Sequence, residues 1–186
     1  MTSLQTQSPN LQANTMSSSA ALDPERIPSG SWTIWYHSPK EQKWTPSTYQ
    51  QVGTVHTWAD YWTLMDAIGD NTLLNGFFFV MRDPAPPLWE NKLNIRGGGY
   101  SLRIGRKDAA DIFHKYIIGA MIGCVATDPT NKLMGVTISP KRGFNVINVW
   151  NEDFAKYNAN DGLKLITKLV GPEEIRYTRH LDKKIN

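Results

Sequence analysis

The chain has 186 residues, enough for one domain that can bury a full core. Its formal net charge of +3 is too small for a protein that coats duplex nucleic acid, and its single cysteine excludes an intrachain disulfide and a thiolate metal site. The longest apolar run, residues 116–126, is shorter than the roughly 18 residues of a membrane helix, and no signal-peptide pattern opens the chain. We expect a soluble protein of the cytoplasm, or also the nucleus, with no membrane partner.

Residues 1–29 are rich in Ser, Thr, Gln and Asn and contain no aromatic residue, which predicts a disordered tail. The predicted domain covers residues 30–186. Its first strand is indicated by the aromatic and β-branched residues at 31–36. Further strands are predicted at residues 49–55, 76–81, 100–104, 133–139, 144–150 and 174–178. The run at 76–81 is continuously apolar, so we expect it at the centre of the sheet.

Three helices are predicted between these strands. The first follows a capping box at residues 57–60 and ends at Gly69. The second covers residues 108–121, and the third is capped by Asn151 or Asp153 and runs to residue 170. Strands that arrive as hairpins, with single helices between them, predict an α+β fold. It would be a curved, mostly antiparallel sheet with about three helices on its convex face and ligand loops on its concave face.

Trp89 and Glu90 lie between two prolines on one side and three consecutive glycines on the other. The prolines and glycines exclude a regular helix or a central strand there, so both side chains lie on a loop. The pair offers a flat π-face beside two acceptor oxygens, which suits a planar heterocycle with N–H donors along one edge, such as guanine. The alternative is that Trp89 folds onto the core while Glu90 points to water.

Three further tryptophans are unusual in position. Trp44 lies on a polar, turn-rich stretch, with Pro46 two residues later. Trp58 and Trp62 lie on the first predicted helix, where together with Tyr61 they span a wider arc than one buried stripe. The alternative is that these residues are simply the core face of the helix. We expect Trp62 to lie at the surface as an anchor for a protein partner.

The chain resembles the translation initiation factor 4E family, which binds the messenger RNA cap, from about Trp32 to His180. The motifs that carry the resemblance occur in family order and at family-like spacing: Trp32-x-x-Trp35-Tyr36, Trp44, Tyr61-Trp62, Leu88-Trp89-Glu90, Arg96-Gly97-Gly98, Gly135-Val136 and Trp150. The resemblance implies the fold predicted above and a role in translation initiation or its regulation. It also implies a monomer that needs no cofactor and is not an enzyme.

The resemblance also implies which residues hold the cap. The 7-methylguanine base would be sandwiched between Trp44 and Trp89. Glu90 would accept hydrogen bonds from the N1–H and 2-amino groups, and Trp150 would face the methyl group. Because 7-methylation makes the purine cationic, each indole adds cation–π energy of roughly 0.5 to 2 kcal/mol to the stacking.

The phosphate contacts of the family are only partly kept. Its phosphate-binding arginine appears as Gly99, and its lysine near the start of a later strand appears as Val146. Lys141, at a basic hairpin tip, keeps a phosphate role by resemblance, and the adjacent Arg142 is a candidate substitute. The chain would therefore bind the phosphates more weakly or differently than its relatives, or would suit a cap with further modifications.

The partner face departs from the family as well. Trp62 matches the tryptophan that receives a helix of the scaffold protein, and an inhibitor protein would use the same dorsal surface. Trp58 stands where the family has a small apolar residue, and Lys115 and Gly119 stand where it has leucines. We therefore expect a different partner sequence or a different docking geometry.

Two other function classes compete with cap binding. A reader of methylated lysine or another quaternary amine would use the same tryptophans as an aromatic cage. Only a phosphorylated ligand, however, needs the basic hairpin at residues 141–142. A nucleotide-processing enzyme is disfavoured, because the four histidines are scattered without metal-ligand spacing and no Gly-rich phosphate loop follows a strand.

Overall fold

The computed structural model describes residues 23–157, 162–166 and 175–183. Its strands are β1 Trp32–His37, β2 Tyr49–Val55, β3 Phe77–Arg82, β4 Gly98–Gly105, β5 Leu133–Pro140, β6 Phe144–Asn151 and β7 Arg176–Arg179. Its α-helices are α1 Trp58–Ile68, α2 Asp70–Asn75 and α3 Ala109–Ile122. The strands form one antiparallel sheet in the order β2-β1-β3-β5-β6-β4-β7. The predicted α+β class, with three helices on a curved antiparallel sheet, is confirmed.

The sheet carries an apolar layer on each face, because alternate side chains of a strand point to opposite sides. On β3, Phe78 and Val80 join the main core beneath the helices, whereas Phe79 and Met81 join a smaller cluster on the other face. β3 is thus buried on both faces, as its apolar run predicts, although β5 is the middle strand. The smaller cluster includes Trp150 and forms the floor of the candidate site.

The first helix begins and ends where the sequence predicts. The Thr57 hydroxyl accepts from the Asp60 N–H at 3.1 Å, and the Asp60 carboxylate accepts from the Thr57 N–H at 3.0 Å, which completes the capping box. Gly69, with φ of 68°, ends α1 and leads directly into α2. Among the described residues, no helix is long and apolar enough to cross a bilayer.

The prediction of a third helix from residue 151 is wrong at its start. Asn151 is the last residue of β6, and its side chain is consumed by hydrogen bonds to β4 and β7 rather than by a helix cap. Asp153 caps only a three-residue 3₁₀ turn, Phe154–Lys156, and residues 162–166 are not helical. The remainder of that helix prediction lies outside the described residues. The third α-helix is instead α2, which the sequence does not predict, because the first helix is expected to stop at Gly69 and no element is expected at residues 70–75.

The predicted tail, residues 1–29, overlaps the folded domain. Ile27 is only 3% exposed, and its N–H donates to the carbonyl of His56 at 2.9 Å. Arg26 forms a β-bridge with Thr57. Residues 23–29 therefore pack on the domain, because one apolar side chain and two backbone contacts fix a segment whose composition is polar. Residues 1–22 lie outside the described residues.

Candidate functional site

A cleft of about 880 Å³ opens on the face of the sheet opposite the helices. Its lining includes four of the predicted site residues: Trp44, Trp89, Glu90 and Trp150. They come from the loop after β1, the loop after β3, and β6, so the fold brings together residues that are far apart in sequence. The indoles of Trp44 and Trp89 do not pack on each other, although both line the cleft.

Trp44 is held in place on one face and open on the other. Its ring stacks on His37 with ring centroids 3.8 Å apart and an interplanar angle of 4°, and the edge of Phe77 packs against it at 5.1 Å. His37 is fully buried, and its Nε2–H donates to the carbonyl of Lys43 at 2.9 Å. Trp44 itself is 48% exposed, and since His37 covers one face, the open surface belongs to the other. That face can accept a flat ring.

The loop that carries Trp89 is fixed by a buried amide. The Asn94 Nδ2 group donates to the carbonyls of Pro86 and Leu88, both at 2.8 Å, and Asn94 is fully buried. The carbonyl of Asn94 in turn accepts from the Nδ1–H of His180 at 2.7 Å. These bonds tie the Trp89 loop to the segment after β7 and hold a loop without regular secondary structure in one conformation.

The Glu90 carboxylate is exposed, and within the described ranges it has no hydrogen bond or ion pair. Its charge nevertheless acts on two groups in the cleft. Burial, with a smaller contribution from Glu90, raises the pKa of Tyr49 to about 12. Burial also lowers the pKa of Lys183 to about 8, against the opposing attraction of Glu90. Glu90 therefore faces the cleft with unused acceptor oxygens.

Trp150 forms part of the floor and is 5% exposed. In the sheet it pairs with Gly99 on β4 and Gly135 on β5, so neither cross-strand neighbour has a side chain that covers its ring. The ring of His180 packs edge-on against it at 4.7 Å, and the Lys183 ammonium lies 5.2 Å from its centroid. Burial and the charge of Lys183 lower the pKa of His180 to about 4, which keeps that imidazole neutral near pH 7.

The basic hairpin does not line the cleft. Lys141 and Arg142 are exposed in the turn between β5 and β6, just beyond Ser139, which lines the cleft at its rim. The lining cations in the described part of the chain are Lys43 and Lys183. From the sequence, Lys43 has no assigned role, and Lys183 belongs to a C-terminal basic cluster, residues 176–184, that leaves an anionic partner open.

Gly99 and Val146 stand where the resemblance implies cations that bind phosphate. A Cβ atom at Gly99 would collide with the side-chain amide of Asn148, which lines the cleft and donates to the Ser101 hydroxyl at 2.9 Å. An arginine at Gly99 therefore cannot coexist with Asn148 as it stands. Val146 lines the cleft with an apolar side chain at the position where the resemblance implies a lysine.

Trp62 lies on the opposite side of the sheet from the cleft. It is 43% exposed on α1, as predicted for a surface residue, and its ring contacts those of Tyr61 at 5.0 Å and His114 at 5.4 Å. The Tyr61 hydroxyl and His114 Nδ1 are 2.6 Å apart, which fixes the imidazole beneath the indole. Burial lowers the pKa of His114. Trp58 is half-buried against the main core, so its role is partly structural.

Four residues that shape the cleft were missed from the sequence: His37, Asn94, His180 and Lys183. The period of two along β1 carries a signal for His37, because Trp32 and Ile34 face the main core and His37 shares the opposite face with Trp35. Asn94 and His180 act through a bond between segments 86 positions apart, and Lys183 contacts Trp150 on a different element of the chain. No local pattern encodes such contacts.

Comparisons of sequence point to one family. A family model described as eukaryotic initiation factor 4E matches residues 29–186. The chain is 26% identical to eukaryotic translation initiation factor 4E of Saccharomyces cerevisiae over 175 residues. The matched region covers 89% of this chain and 81% of that protein. It is 25% identical over 142 residues to eukaryotic translation initiation factor 4E-1 of Caenorhabditis elegans, with 74% and 67% covered.

Comparisons of structure agree on the fold. A crystal structure of Ascaris suum eIF4E-3 with an m2,2,7G cap gives a TM-score of 0.62 at 17% identity and covers 88% of this chain and 96% of that one. The complex of C. elegans eIF4E-3 with the 4E-binding protein Mextli gives 0.60 at 16% identity, with 71% and 78% covered. With the family match across nearly the whole described domain, the chain belongs to the eukaryotic initiation factor 4E family, whose members are translation initiation factors and not enzymes.

Proposed function

We propose that this chain binds the 7-methylguanosine cap of messenger RNA in the cleft and acts in the cytoplasm in translation initiation or its regulation. The observation that carries the proposal is the shared cleft of two tryptophans and an unpaired carboxylate: Trp44, Trp89 and Glu90. Crystal structures of Ascaris suum eIF4E-3 with the m7G cap and with the m2,2,7G cap support the same assignment.

In this proposal the methylated base enters between Trp44 and Trp89. One face of Trp44 is already stacked on His37, so the base stacks on the other face without moving the ring. A cation between two indoles gains roughly 0.5 to 2 kcal/mol per ring from cation–π attraction, and more when water is excluded. Trp150, on the floor, faces the methyl group.

Glu90 reads the edge of the base. Its two carboxylate oxygens accept from the N1–H and 2-amino groups of guanine, a charge-assisted contact at two points. Adenine offers no such pair of donors on that edge. The carboxylate also attracts the positive charge of the methylated ring, so one side chain favours both guanine and methylation.

The phosphates extend toward the rim of the cleft, where Lys141 and Arg142 approach them from outside. The hairpin tip begins two residues beyond the cleft-lining Ser139, and its backbone is fixed by the Lys141 N–H, which donates to the Phe144 carbonyl at 2.9 Å. Two exposed cations on a fixed turn suit a mobile, multiply charged ligand.

On the helical face, Trp62 serves as the anchor for a helix from a scaffold or inhibitor protein, and Trp58 contributes its exposed edge. Complexes of relatives with the 4E-binding proteins Mextli and 4E-BP support a protein partner for this chain. Lys115 is exposed and paired with Asp111 at 2.7 Å, and Gly119 is packed against Val125, so the partner meets a different surface from the leucines of the family.

An aromatic-cage function is favoured by one observation. The ammonium of Lys183 lies 5.2 Å from the Trp150 centroid within the cleft, so the cleft already accommodates an amine cation. A reader of methylated lysine would use the same contact. The two functions differ in their ligands, because the cap carries phosphates and a methylated-lysine peptide does not. The following experiment therefore compares both ligands.

The proposal is tested by titrating the full chain with 7-methyl-GTP, GTP and a trimethyl-lysine peptide, with intrinsic tryptophan fluorescence as the readout. We expect quenching by 7-methyl-GTP, weaker binding of GTP and no binding of the peptide. Trp44→Ala and Trp89→Ala should each weaken 7-methyl-GTP binding by about 5- to 150-fold, since a lost stacking partner costs about 1 to 3 kcal/mol.

The matched control is Trp62→Ala, which removes an equally exposed indole from the helical face. It should leave the affinity for 7-methyl-GTP unchanged. Affinities within about twofold of wild type for both Trp44→Ala and Trp89→Ala would refute the sandwich, and tight peptide binding would replace it by the aromatic-cage function.

A further inference from the structure

The cleft contains a cation that the family resemblance did not assign. Lys43 and Lys183 are the lysines that line the cleft in the described part of the chain. Lys43 is exposed on the loop before Trp44, whereas Lys183 is half-buried deep in the cleft beside Trp150. The two positions at which the resemblance implies phosphate-binding cations hold Gly99 and Val146 instead.

Lys183 is a partly buried charge without a counterion. Its ammonium contacts the face of Trp150, but no carboxylate of the described residues lies within ion-pair distance. Burial lowers the pKa of Lys183 to about 8, and the attraction of Glu90 offsets this only in part. Burying a cation is costly unless an anion compensates it, so an uncompensated cation in a cleft indicates an anionic ligand.

The backbone that presents Lys183 is firmly held. The Lys183 N–H closes a 3₁₀ turn by donating to the His180 carbonyl at 3.1 Å. Arg179 makes a two-point contact with Asp182 across the same turn, at 2.7 and 2.9 Å. The His180 N–H donates to the carbonyl of Gly97, the residue before β4, at 2.9 Å, which attaches the turn to the start of that strand. The lysine is therefore placed by the fold rather than by chance exposure of a long side chain.

We propose that Lys183 contacts a phosphate group of the bound cap and replaces, from the turn after β7, the cations that are missing at Gly99 and Val146. This inference rests on the proposed cap-binding function. The side chain would leave the face of Trp150 as the methylated base arrives, because base and ammonium are both cations and repel each other. The ammonium then pairs with the phosphate that follows the base into the cleft.

This exchange makes Lys183 a determinant of specificity. Bare 7-methylguanosine must displace or tolerate the ammonium and gains nothing from it. The triphosphate gains a charge-assisted contact that repays the displacement. We therefore expect Lys183 to raise the ratio of triphosphate to nucleoside affinity.

In the alternative arrangement, the Lys183 side chain stays on the face of Trp150 and occupies part of the site for the base. It would then compete with every ligand. The two arrangements predict opposite signs for the same substitution. Removing a phosphate ligand weakens triphosphate binding, whereas removing a competitor strengthens it.

The experiment compares the wild type with Lys183→Ala, Lys183→Arg and the control Lys115→Ala by calorimetric titration with 7-methyl-GTP and with 7-methylguanosine. Lys115 is an exposed lysine on α3, on the helical face, and its loss changes the net charge equally. We expect Lys183→Ala to lose about tenfold in affinity for 7-methyl-GTP and to bind the nucleoside as well as the wild type or more tightly. Lys183→Arg should retain most of the triphosphate affinity, and Lys115→Ala all of it.

The nucleoside titration also shows that the variant cleft is folded. Equal affinity of wild type and Lys183→Ala for the triphosphate, equal losses for both ligands, or a gain for the triphosphate would each overturn the role of Lys183 while cap binding stands. Failure of the wild type to bind either ligand would overturn the proposed function and this inference together.

Discussion

His37 explains how Trp44 can be nearly half exposed on a loop and still be held in one orientation. The imidazole is fully buried, stacks in parallel on the indole, and is fixed by its bond to the Lys43 carbonyl. The free protein therefore presents one half of the proposed sandwich already in place, which lowers the entropy cost of binding. Trp89 is positioned from the other side by the buried amide of Asn94.

Glu90 is the residue whose role is most easily isolated. It is exposed and makes no hydrogen bond or ion pair within the described residues, so Glu90→Gln should leave the melting temperature unchanged. The amide keeps one acceptor but directs a donor group at the guanine edge and loses the attraction for the methylated ring. We expect affinity for 7-methyl-GTP to fall by about ten- to a hundredfold, measured by fluorescence titration. Unchanged affinity would place Glu90 outside the contact.

Lys183 predicts a pH dependence with a definite sign. Its pKa of about 8 is lowered mainly by burial, so the ammonium needed for a phosphate contact is lost as pH rises through 8. Wild-type affinity for 7-methyl-GTP should therefore fall between pH 7 and pH 9 more steeply than that of Lys183→Arg, whose guanidinium stays protonated. Subtracting the Lys183→Arg profile removes the titration of the ligand itself.

The other titratable groups that line the cleft near Lys183 do not produce the same change of affinity between pH 7 and pH 9. His180, with a pKa lowered to about 4, and Tyr49, with a pKa raised to about 12, stay neutral across the range. Glu90 and the exposed Lys43 are common to both proteins being compared. Parallel pH profiles of wild type and Lys183→Arg would show that the Lys183 ammonium does not touch the phosphate.

At the level of elements, the hairpin between β5 and β6 tests whether exposed cations add to the phosphate contacts. Replacing both Lys141 and Arg142 by Ala should weaken 7-methyl-GTP binding and leave 7-methylguanosine almost unaffected, because charge acts on phosphate and stacking on the base. A plot of log affinity against log salt concentration should be shallower for the double variant than for the wild type, by about 0.7 in slope per lost phosphate contact. An unaltered salt slope would restrict the phosphate contacts to the cleft and to Lys183.

Helix α1 carries the proposed partner surface. Trp62→Ala should abolish binding of a scaffold or inhibitor protein in a pull-down, because a half-exposed indole supported by Tyr61 and His114 is a typical interface anchor. Cap affinity should stay within about twofold of wild type, since the main core and the sheet separate Trp62 from the cleft. If the variant still binds its partner, Trp62 is not the anchor. If the variant unfolds, Trp62 stabilises the fold instead.

The sequence predicts elements better than it predicts their junctions. All seven strands and α1 follow local rules: alternation of side chains, turn residues, and the capping box of Thr57 and Asp60. The predicted helix from residue 151 failed because Asn151, a residue typical of helix caps, is used to bond two neighbouring strands instead. That choice depends on strands β4 and β7, which are remote in sequence.

In the candidate site as well, residues with a local sequence signal could be predicted, and residues placed by remote contacts could not. Trp44, Trp89 and Glu90 are recognisable because aromatic and acidic side chains on Pro- and Gly-rich loops have few structural uses. The position of Lys183 in the cleft could not be predicted, because nothing near it in sequence indicates that its turn returns beside Trp150. The collision between a side chain at position 99 and Asn148 on the adjacent strand is likewise not readable from the residues around Gly99.

At the scale of the whole molecule, one sheet separates two surfaces. Alternate residues of β3 serve the main core beneath the helices and the smaller cluster beneath the cleft. A ligand in the cleft and a protein on α1 therefore contact opposite faces without sharing a side chain. Their binding free energies should be close to additive unless the sheet itself shifts.

The most direct measurement of the central claim is an NMR titration of the indole N–H signals of the ¹⁵N-labelled chain with 7-methyl-GTP. The seven tryptophans report on both faces and on the core. If the cleft is the cap site, the signals of Trp44, Trp89 and Trp150 shift strongly, and those of Trp62 and of the fully buried Trp32 do not. Shifts centred on Trp62, or no shifts at Trp44 and Trp89 under saturating ligand, would contradict the account.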